Sequence, residues 1–526
     1  MPTLAGVHPT VNIYRYDDFE KNAILQLSRD FFITRAIEAS SENKSRNNAF
    51  LARPTDITAR LINTDREIAV ICSSFETFEA RTLDLYKTAM YRVNDENRID
   101  SRFRILVSAD PDIELKIARY LQSTPEYPVI IPIYYKNLTQ HDDAFVDALR
   151  RNHLIRDLFG VHSPLEQEYF FFGRSGIVNS VIDHHKSGEH YGIFGLRRSG
   201  KTSTIHAVSR KARGQNIVPV IIDCQDPAVH ARGFSSLLQY FLSTIRKSAG
   251  LRPPSSELSG SVAEVSEAFR NSLANTLSAI SGSVLLIFDE IENISPRTAA
   301  SQHWKSGDES LFFWQVIRAF CQSQKKLSLT ICFVGTNPSL LEDTRINGVD
   351  NPIFMFAERS YIPNLSFDET RQMIMNLGTL MGMNFPIDVI AQIHMKYGGH
   401  PFFSRQICSI INKSASNDRP LTISMNALVE AELRFRAPLM AYMEDIISVL
   451  EQFYPNEFKL IEYLAKGDRN TFHDFAEGIP NLVEHLLGYG VVSKRGDDFE
   501  IVFDAVRDAV IARTNGNYIV DLAGMT

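Results

Sequence analysis

The stretch that most constrains this chain is residues 191–206, where a short apolar segment runs into a glycine-rich turn and a polar continuation. Within it, Gly195, Gly200, Lys201 and Thr202 fit the spacing G-x-x-x-x-G-K-[ST]. Glycines permit the backbone angles at which successive N–H groups converge on a polyphosphate, and the following helix directs its positive end at the same anion. In this signature the lysine reaches the β- and γ-phosphates, and the hydroxyl group binds Mg²⁺. The stretch therefore predicts a phosphate-binding loop between a strand and a helix.

Residues 283–290 form the second element of the predicted site, because a mostly apolar run ends there in Asp289 and Glu290. A strand this apolar is buried on both faces of a parallel sheet, so its terminal acids emerge at the carboxyl edge, beside the phosphates. We expect Asp289 to hold Mg²⁺ through its waters, and Glu290 to orient and deprotonate the attacking water. The alternative is an acidic strand end that caps the following helix.

The run 329–334 predicts a third strand, which leads into Gly335-Thr-Asn-Pro338. A polar residue at the end of a strand between the two strands above can sense the γ-phosphate. Asn337 is our candidate, with Thr336 behind it. An ordinary Asn-Pro turn explains the same residues equally well.

The first 160 residues predict a separate α/β region. Residues 1–65 show little periodicity, and after them apolar runs alternate with helical spacing, which is typical of βαβ units. The predicted strands are 68–72, 103–107 and 129–134, and the predicted helices are 75–91 and 113–121. We therefore expect a small Rossmann-like domain over about residues 60–160. Polar residues expected beyond the carboxyl ends of its strands are Ser73, Ser74, Glu76, Ser108, Asp110 and Asp112. For the two aspartates, capping of the next helix is the favoured interpretation.

Several short motifs together resemble one family, over roughly residues 165–510. They are Phe-Gly-Arg174, Gly195-Leu-Arg-Arg-Ser-Gly-Lys-Thr-Ser203, the Phe-Asp-Glu290 strand, Val-Gly-Thr-Asn337 and Gly398-Gly-His-Pro401. This set resembles the archaeal-type branch of the STAND ATPases, which are relatives of AAA+ proteins and of the Orc/Cdc6 initiators. The resemblance implies ATP and Mg²⁺ as ligands and slow ATPase activity if no arginine is supplied in trans.

The resemblance also implies roles for single residues. The residues implied to bind nucleotide are Gly195, Arg198, Ser199, Gly200, Lys201, Thr202, Ser203, Arg174 near the adenine, and His400 and Pro401 in a lid above it. Thr202 and Asp289 would hold the metal, and Lys201, Glu290 and Asn337 would take part in hydrolysis. Arg345 and Arg359 are candidates for an arginine finger, although surface salt bridges are the favoured role for both.

The remaining segments predict a multi-domain α/β chain. We expect an N-terminal α/β domain over 1–160 with a sensor or effector role, a P-loop ATPase core over 161–358, a helical lid over 359–450 and a winged helix over 451–526. The winged helix follows from three helices and two strands between residues 455 and 503. Residues 455–513 contain 7 basic and 11 acidic residues, so a protein-facing or autoinhibitory module is favoured over DNA binding, which neutralises phosphates with basic groups. In residues 297–307, Trp304 with Lys305 could stack on a base, but a partly ordered surface loop is favoured.

Composition and charge limit the partners and the cellular compartment that we expect. The net charge of −7 gives no overall attraction to nucleic acid or anionic membranes. The five cysteines are scattered without a C-x-x-C pair, which favours a reducing cytoplasm over disulfides or zinc. No run approaches the 18 or so apolar residues of a membrane span, and no secretory signal is recognisable. We expect a cytoplasmic protein.

The sequence thus favours an ATP-driven switch. The resemblance implies homo-oligomers in the ATP state, partners bound through the winged helix or the N-terminal domain, and a role in bacterial or archaeal defence or signalling. One alternative is a DNA-engaging AAA+ protein of the initiator or loader type. Another is an ATP-triggered effector whose N-terminal domain hydrolyses NAD or cuts nucleic acid.

Overall fold

The computed structural model describes residues 3–523, except for 38–46, 63, 94–97, 125, 142, 153–155, 255–256, 324–327, 417 and 497. The described chain divides into two compact units. The first consists of Met1–Ser163, Arg371–Gln392 and Arg405–Phe435. The second consists of Pro164–Thr370, Ile393–Ser404 and Arg436–Thr526.

The first unit is built on a mixed sheet. Its N-terminal elements are β1 (Gly6–Val7), α1 (Asp18–Leu27), β2 (Phe31–Ile37), β3 (Asn47–Pro54), α2 (Asp56–Ile62), β4 (Glu67–Ser73), α3 (Asp84–Val93), β5 (Ile99–Ser108), α4 (Ile113–Ser123), β6 (Val129–Tyr134), α5 (Tyr135–Gln140) and α6 (Ala144–Asn152). The strand order is β1-β2-β3-β4-β5-β6. β4, β5 and β6 are parallel, whereas β3 is antiparallel to both of its neighbours. β4 and β6 are almost wholly buried, as their apolar sequences require, and β5 is buried in its second half.

The predicted α/β region is confirmed in its parallel part, but the sheet begins much earlier than the sequence indicated. β2 and β3 lie within residues 1–65, where the periodicity is weak. The predicted helix over 75–91 is shorter, because its first half forms an irregular segment and a 3-10 turn (Ala80–Leu83) before α3 begins at Asp84.

The second unit contains a parallel sheet with helices around it. Its elements up to residue 361 are α7 (Ser175–Ser187), β7 (Tyr191–Phe194), α8 (Lys201–Arg213), β8 (Ile217–Asp223), α9 (Pro227–His230), α10 (Phe234–Ser248), α11 (Val262–Ser278), β9 (Ser283–Asp289), α12 (Gln302–Lys305), α13 (Asp308–Ser323), β10 (Leu329–Gly335), α14 (Ser339–Glu342), β11 (Arg345–Ile346), β12 (Val349–Asp350) and β13 (Glu358–Tyr361).

The strand order β13-β7-β10-β9-β8 decides which residues meet at one edge. All neighbouring pairs in this sheet are parallel, so the carboxyl ends of β7, β9 and β10 lie along the same edge. β10 lies between β7 and β9, as predicted for the sensor strand. Phe288 and Phe333 on these strands pack with Phe241 and Trp314 in the core beneath that edge.

The C-terminal third is mainly helical, as the sequence predicted. Its elements are α15 (Phe367–Leu380), β14 (Met383–Asn384), α16 (Ile387–Tyr397), α17 (Pro401–Ser414), β15 (Leu421–Thr422), α18 (Met425–Phe453), α19 (Pro455–Ala465), α20 (Arg469–Gly478), α21 (Pro480–Gly488), β16 (Val492–Arg495), β17 (Asp498–Ile501) and α22 (Asp504–Ala523). Helices α19–α21 and the antiparallel pair β16–β17 form the winged helix. The segments Arg371–Gln392 and Arg405–Phe435, within the range predicted for a lid, belong to the first compact unit, and the lid role stays a prediction. Among the described residues, no helix has both the length and the apolar composition needed to cross a bilayer.

The expectation for residues 297–307 is wrong. Trp304 lies in α12 and is fully buried, with its indole N–H donating to the Arg232 carbonyl over 2.9 Å. Its ring packs edge-on against Phe313 at 5.7 Å between centroids. This tryptophan therefore belongs to the core of the second unit and is not exposed for stacking on a base.

Candidate nucleotide site

The loop between β7 and α8 has the backbone of an anion cradle. Gly200 has φ 92°, in the left-handed region where other residues are strained. A Cβ atom on Gly200 would lie 2.5 Å from Nη1 of Arg174, and one on Gly195 would lie 2.4 Å from Cγ2 of Ile362. Close packing therefore disfavours a side chain at either position, and the backbone conformation does so as well at Gly200.

Lys201 is the first residue of α8 and connects the loop to two other elements. Its buried Nζ donates to the carbonyl oxygens of Gly195 and Leu196 over 2.9 and 3.3 Å. It also donates to Oγ1 of Thr336 over 3.3 Å, and lies 3.9 Å from a carboxylate oxygen of Glu290. The loop lysine, the second acid after β9 and the end of β10 are thus gathered at one point.

The two acids after β9 differ in their surroundings. Asp289 is buried and accepts a hydrogen bond of 3.0 Å from the Thr202 hydroxyl. Burial, and then the negative charge of Glu290, raise the pKa of Asp289 to about 6. Glu290 has φ 50°, and its carbonyl accepts from the backbone and side-chain N–H groups of Asn293 over 3.0 and 2.9 Å. A left-handed non-glycine residue costs about 1–3 kcal/mol, and such strain is concentrated at functional sites.

Asn337 follows β10 and is buried. Its Oδ1 accepts from the backbone N–H of Ser339 over 2.9 Å and from the hydroxyl of Tyr454 over 3.2 Å. The first bond is the turn that the Asn-Pro sequence favours. The second comes from the residue that immediately precedes α19, and nothing in the sequence pattern pointed to it.

Arg174 and His400 lie on the other side of the loop. Arg174 has φ 61° and is buried, and its guanidinium donates to the Pro363 carbonyl over 3.1 Å. Burial lowers the pKa of Arg174 to about 10. His400 stacks on Phe403 at 4.2 Å, and burial lowers the pKa of this imidazole to about 3, so the ring is neutral at pH 7. Pro401 is the first residue of α17.

Some of the buried polar atoms that lack a hydrogen-bond partner among the described residues lie near this loop, although others are spread through the rest of the chain. Those near the loop include Oγ of Ser199, Nε of Arg174 and both ring nitrogens of His400. Native proteins pair nearly all such atoms, with protein, water or ligand, so these exceptions are candidates for contacts to a polar ligand. The residues present therefore fit a nucleotide.

Arg198 of the loop and Ser203 of α8 contact other segments of the second unit. The Arg198 guanidinium lies 5.1 Å from the ring centre of Phe402 and 6.0 Å from that of Tyr442. The Ser203 hydroxyl accepts the backbone N–H of Leu165 over 2.9 Å. The Ser203 contact ties a preceding segment of chain to α8.

The two candidate arginine fingers both form ion pairs. Arg345 is exposed and lies 3.6 Å from a carboxylate oxygen of Asp350. Arg359 pairs with Glu342 and lies 4.0 Å from Glu484 of α21. These contacts agree with the favoured interpretation of surface salt bridges.

The sequence missed a polar contact between the winged helix and the end of β10. The hydroxyl of Tyr489, which follows α21, donates to the Thr336 carbonyl over 2.6 Å and lies 3.2 Å from the hydroxyl of Tyr454. His485 of α21 bridges Glu457 and Glu342, at 2.7 and 3.1 Å. No spacing rule predicts these partners, because they depend on how the winged helix packs against the core.

In the first unit, Asp110 is a structural residue. It is buried and accepts from the backbone N–H groups of Phe78 and Asp112 over 2.7 and 2.9 Å, and from Lys116 over 2.6 Å. Burial opposes ionisation of this carboxyl, but Lys116 and the backbone donors outweigh it and lower its pKa. Asp110 thus holds the turn before α4 through the backbone N–H of Asp112. Asp112 is the N-cap residue of α4 but makes no side-chain capping hydrogen bond, so the capping prediction is wrong for Asp112.

The parallel sheet, with residues 195–202 forming the loop between β7 and α8, has the arrangement typical of a P-loop core. No protein-family model and no curated protein sequence matches it. A Walker-type ATPase of Pyrococcus abyssi is similar in structure, with a TM-score of 0.45, 15% identity, and coverage of 67% of this chain and 99% of the other. The ORC2 protein of Aeropyrum pernix in its ADPNP–ADP complexes is similar with a TM-score of 0.37 and 15% identity, and the match covers 68% of this chain and 98% of the other. The Holliday junction branch migration motor RuvB of Thermotoga maritima is similar with a TM-score of 0.32 and 11% identity, and the match covers 66% of this chain and 98% of the other. At such identities the likeness concerns fold alone.

Proposed function

We propose that this protein binds and hydrolyses ATP with Mg²⁺, and that its nucleotide state controls the position of its winged helix. The observation that carries the proposal is the meeting of Lys201, Thr202, Asp289, Glu290 and Thr336 at one edge of the sheet, within hydrogen-bonding or ion-pairing distance of one another. A positive charge, a hydroxyl and two acids in that arrangement are what phosphoanhydride hydrolysis requires.

Each residue then has a defined task. The loop N–H groups and Lys201 hold the phosphates, and Ser199, Arg174 and His400 supply the remaining polar contacts to the nucleotide. Thr202 and Asp289 hold Mg²⁺, which neutralises phosphate charge when bound. Glu290 orients the attacking water and accepts its proton. The Asn337 oxygen is already occupied by Ser339 and Tyr454, so its amide nitrogen is the group left to donate to the γ-phosphate.

Coupling to the winged helix is supported by direct bonds. Tyr489 and Tyr454 bind the carbonyl of Thr336 and the side chain of Asn337, which are the residues nearest the proposed γ-phosphate position on β10. A small shift of this segment on hydrolysis changes two buried hydrogen bonds to the winged helix. Each such bond is worth about 1 kcal/mol, which is enough to shift a two-state equilibrium several-fold.

The finer parts of the proposal come from the STAND resemblance. We propose a STAND-type switch that assembles into homo-oligomers in the ATP state and thereby controls its N-terminal domain, with a defence or signalling role. Binding of DNA by the winged helix is not favoured. Its basic wing residues are already engaged, because Lys494 lies 5.6 Å from the ring centre of Phe499 and Arg495 lies 3.4 Å from Glu500.

The central test uses the full chain and three variants. We expect Lys201→Ala to abolish ATP binding, and Glu290→Gln to bind ATP normally but lose turnover. Arg213→Ala is the matched control, because it removes a positive charge from the exposed far end of the same helix. Normal ATP binding by Lys201→Ala would show that the proposed site is wrong. Size measurements on Glu290→Gln with and without ATP test the assembly, and an unchanged mass argues against it.

The coupling has its own test. Hydrogen exchange in residues 451–526 should differ between nucleotide-free protein and protein with a non-hydrolysable ATP analogue. We expect that difference to shrink in the double variant Tyr454→Phe, Tyr489→Phe. Tyr463→Phe is the control, since this tyrosine of α19 stacks on Phe475 within the winged helix. If the double variant responds to nucleotide like wild type, the tyrosines do not carry the coupling.

A further inference from the structure

Glu292, a third acid after β9, contacts both functional segments of the site. Its two carboxylate oxygens accept from the backbone N–H of Thr336 over 3.2 and 3.1 Å. Its carboxyl group is also hydrogen-bonded to that of Glu290. Glu292 therefore lies between the proposed general base and the end of the sensor strand.

The position of this carboxyl group is sterically fixed. A Cβ atom on Gly335 would lie 2.3 Å from Oε2 of Glu292 and 2.9 Å from Cγ2 of Ile291. Glycine at the last position of β10 therefore leaves the space that the Glu292 carboxyl fills. A side chain at position 335 would therefore displace the Glu292 carboxyl from the Thr336 N–H.

The protonation of this acid agrees with the contact to Glu290. Burial, and then the charge of Glu290, raise the pKa of Glu292 to about 8. Two carboxylates in contact do not both ionise readily, so one of them keeps a proton and donates it to the other. The raised pKa of Glu292 favours Glu292 as the acid that keeps the proton.

We infer that Glu292 is a positioning residue that fixes the carboxylate of Glu290 relative to Thr336 and the sensor strand. Asn293 holds the left-handed backbone of Glu290, and Glu292 holds its side chain. The inference rests on the proposed ATPase function. A general base contributes about 10²–10⁴-fold to rate, and that contribution depends on its alignment with the water.

The test compares two substitutions of Glu292 in the full chain. In Glu292→Gln the amide oxygen still accepts from Thr336 and the amide nitrogen still donates to Glu290, so we expect a kcat within about threefold of wild type. Glu292→Leu has a similar volume and neither bond, and we expect kcat to fall about 10–100-fold. Binding of a fluorescent ATP analogue should stay within about threefold in both variants, because neither touches the phosphate loop.

A matched control separates positioning from general stability. Glu309 also accepts a backbone N–H, from Phe234, but has no bond to Glu290 or Thr336 among the described contacts. We expect Glu309→Leu to lower the melting temperature without lowering kcat. If Glu292→Leu fails to fold, Gly335→Ala provides a second route, because its methyl group displaces the Glu292 carboxyl while leaving the acid in place.

The outcomes separate the two proposals. Wild-type kcat in Glu292→Leu or in folded Gly335→Ala, or an equal loss in the Gln and Leu variants, would overturn the positioning role and leave the ATPase proposal standing. A wild-type protein that does not hydrolyse ATP under any condition would overturn both. Rescue by glutamine together with unchanged nucleotide binding would support the inference.

Discussion

The bridge formed by His485 makes the winged helix sensitive to alkaline pH. Its side chain is 14% exposed and contacts Glu457 at 2.7 Å and Glu342 at 3.1 Å. Both ring nitrogens carry hydrogen only in the imidazolium form, so both bonds can be donated only while His485 is protonated. Burial alone would lower the pKa of His485, but the hydrogen bonds and charges of the two glutamates outweigh it and raise the pKa to about 9.

This pKa determines how much His485 stabilises the fold and at which pH that stabilisation is lost. Because the folded value lies above the ordinary value of 6.5, the stabilisation is fully present below about pH 6.5 and is lost as the pH rises through 9. At about pH 7 the shift corresponds to roughly 2–3 kcal/mol. For a unit of this size that equals a change of several degrees in melting temperature, on the order of 4–6 °C.

The rings of Tyr454 and Tyr361 pack against His485, and Arg359 pairs with Glu342, one of its two partners. Burial raises the pKa of both tyrosines above the ordinary value of 10, so neither tyrosine titrates between pH 6.5 and 9.5. The assay is therefore the melting temperature of the full chain over that pH range, for wild type and for His485→Gln.

We expect His485→Gln to melt several degrees below wild type near pH 6.5, and the gap to close by about pH 9.5, where the wild-type imidazole is neutral. His473→Gln is the control, because this histidine of the same domain lies 3.3 Å from Asp498 in a more exposed ion pair. A gap between wild type and His485→Gln that stays constant from pH 6.5 to 9.5 would refute the role of the charge.

Three further substitutions test individual contacts. Trp304→Ala should lower the free energy of unfolding by about 3–5 kcal/mol, measured in urea, and a change under 1 kcal/mol would contradict its burial. Asp110→Asn should cost about 2–3 kcal/mol by the same measurement because it leaves buried donors facing an amide, whereas Asp112→Asn, at an exposed position, should cost less than about 0.5. Tyr489→Phe should cost about 1–2 kcal/mol through loss of the bond to Thr336, and wild-type stability would show that this bond contributes nothing.

The sequence predicted those parts of the core that depend on local pattern. The runs before Gly195, Asp289 and Gly335 are short, apolar and bounded by turn residues, so their strands and their carboxyl ends could be located closely. Lys201 and Thr202 follow from spacing alone, because the loop that holds them is a continuous segment. The roles assigned to these residues stay predictions until the variants are measured.

What the sequence could not predict depends on packing between distant segments. The apolar residues of β2 and β3 are interrupted by asparagine, threonine and arginine. Their strand structure depends on pairing, of β2 with β3 and of β3 with β4, which no local pattern shows. The sequence predicts a surface loop around Trp304, whereas the structure buries this tryptophan in the core of the second unit. Glu292 did give a signal, as the third acid in Asp-Glu-Ile-Glu292, but only its bond to Thr336 distinguishes it from a solvated side chain.

Thr336, directly after β10, contacts several parts of the proposed switch. Thr336 accepts from Lys201 through its hydroxyl, donates to Glu292 through its N–H and accepts from Tyr489 through its carbonyl. One residue thus contacts the lysine proposed to bind phosphate, the acid proposed to position the base, and the winged helix. Coupling usually needs a contiguous set of packed groups with two arrangements. Here the set is one residue long, so the proposed coupling between the phosphates and the winged helix needs no relay through the core.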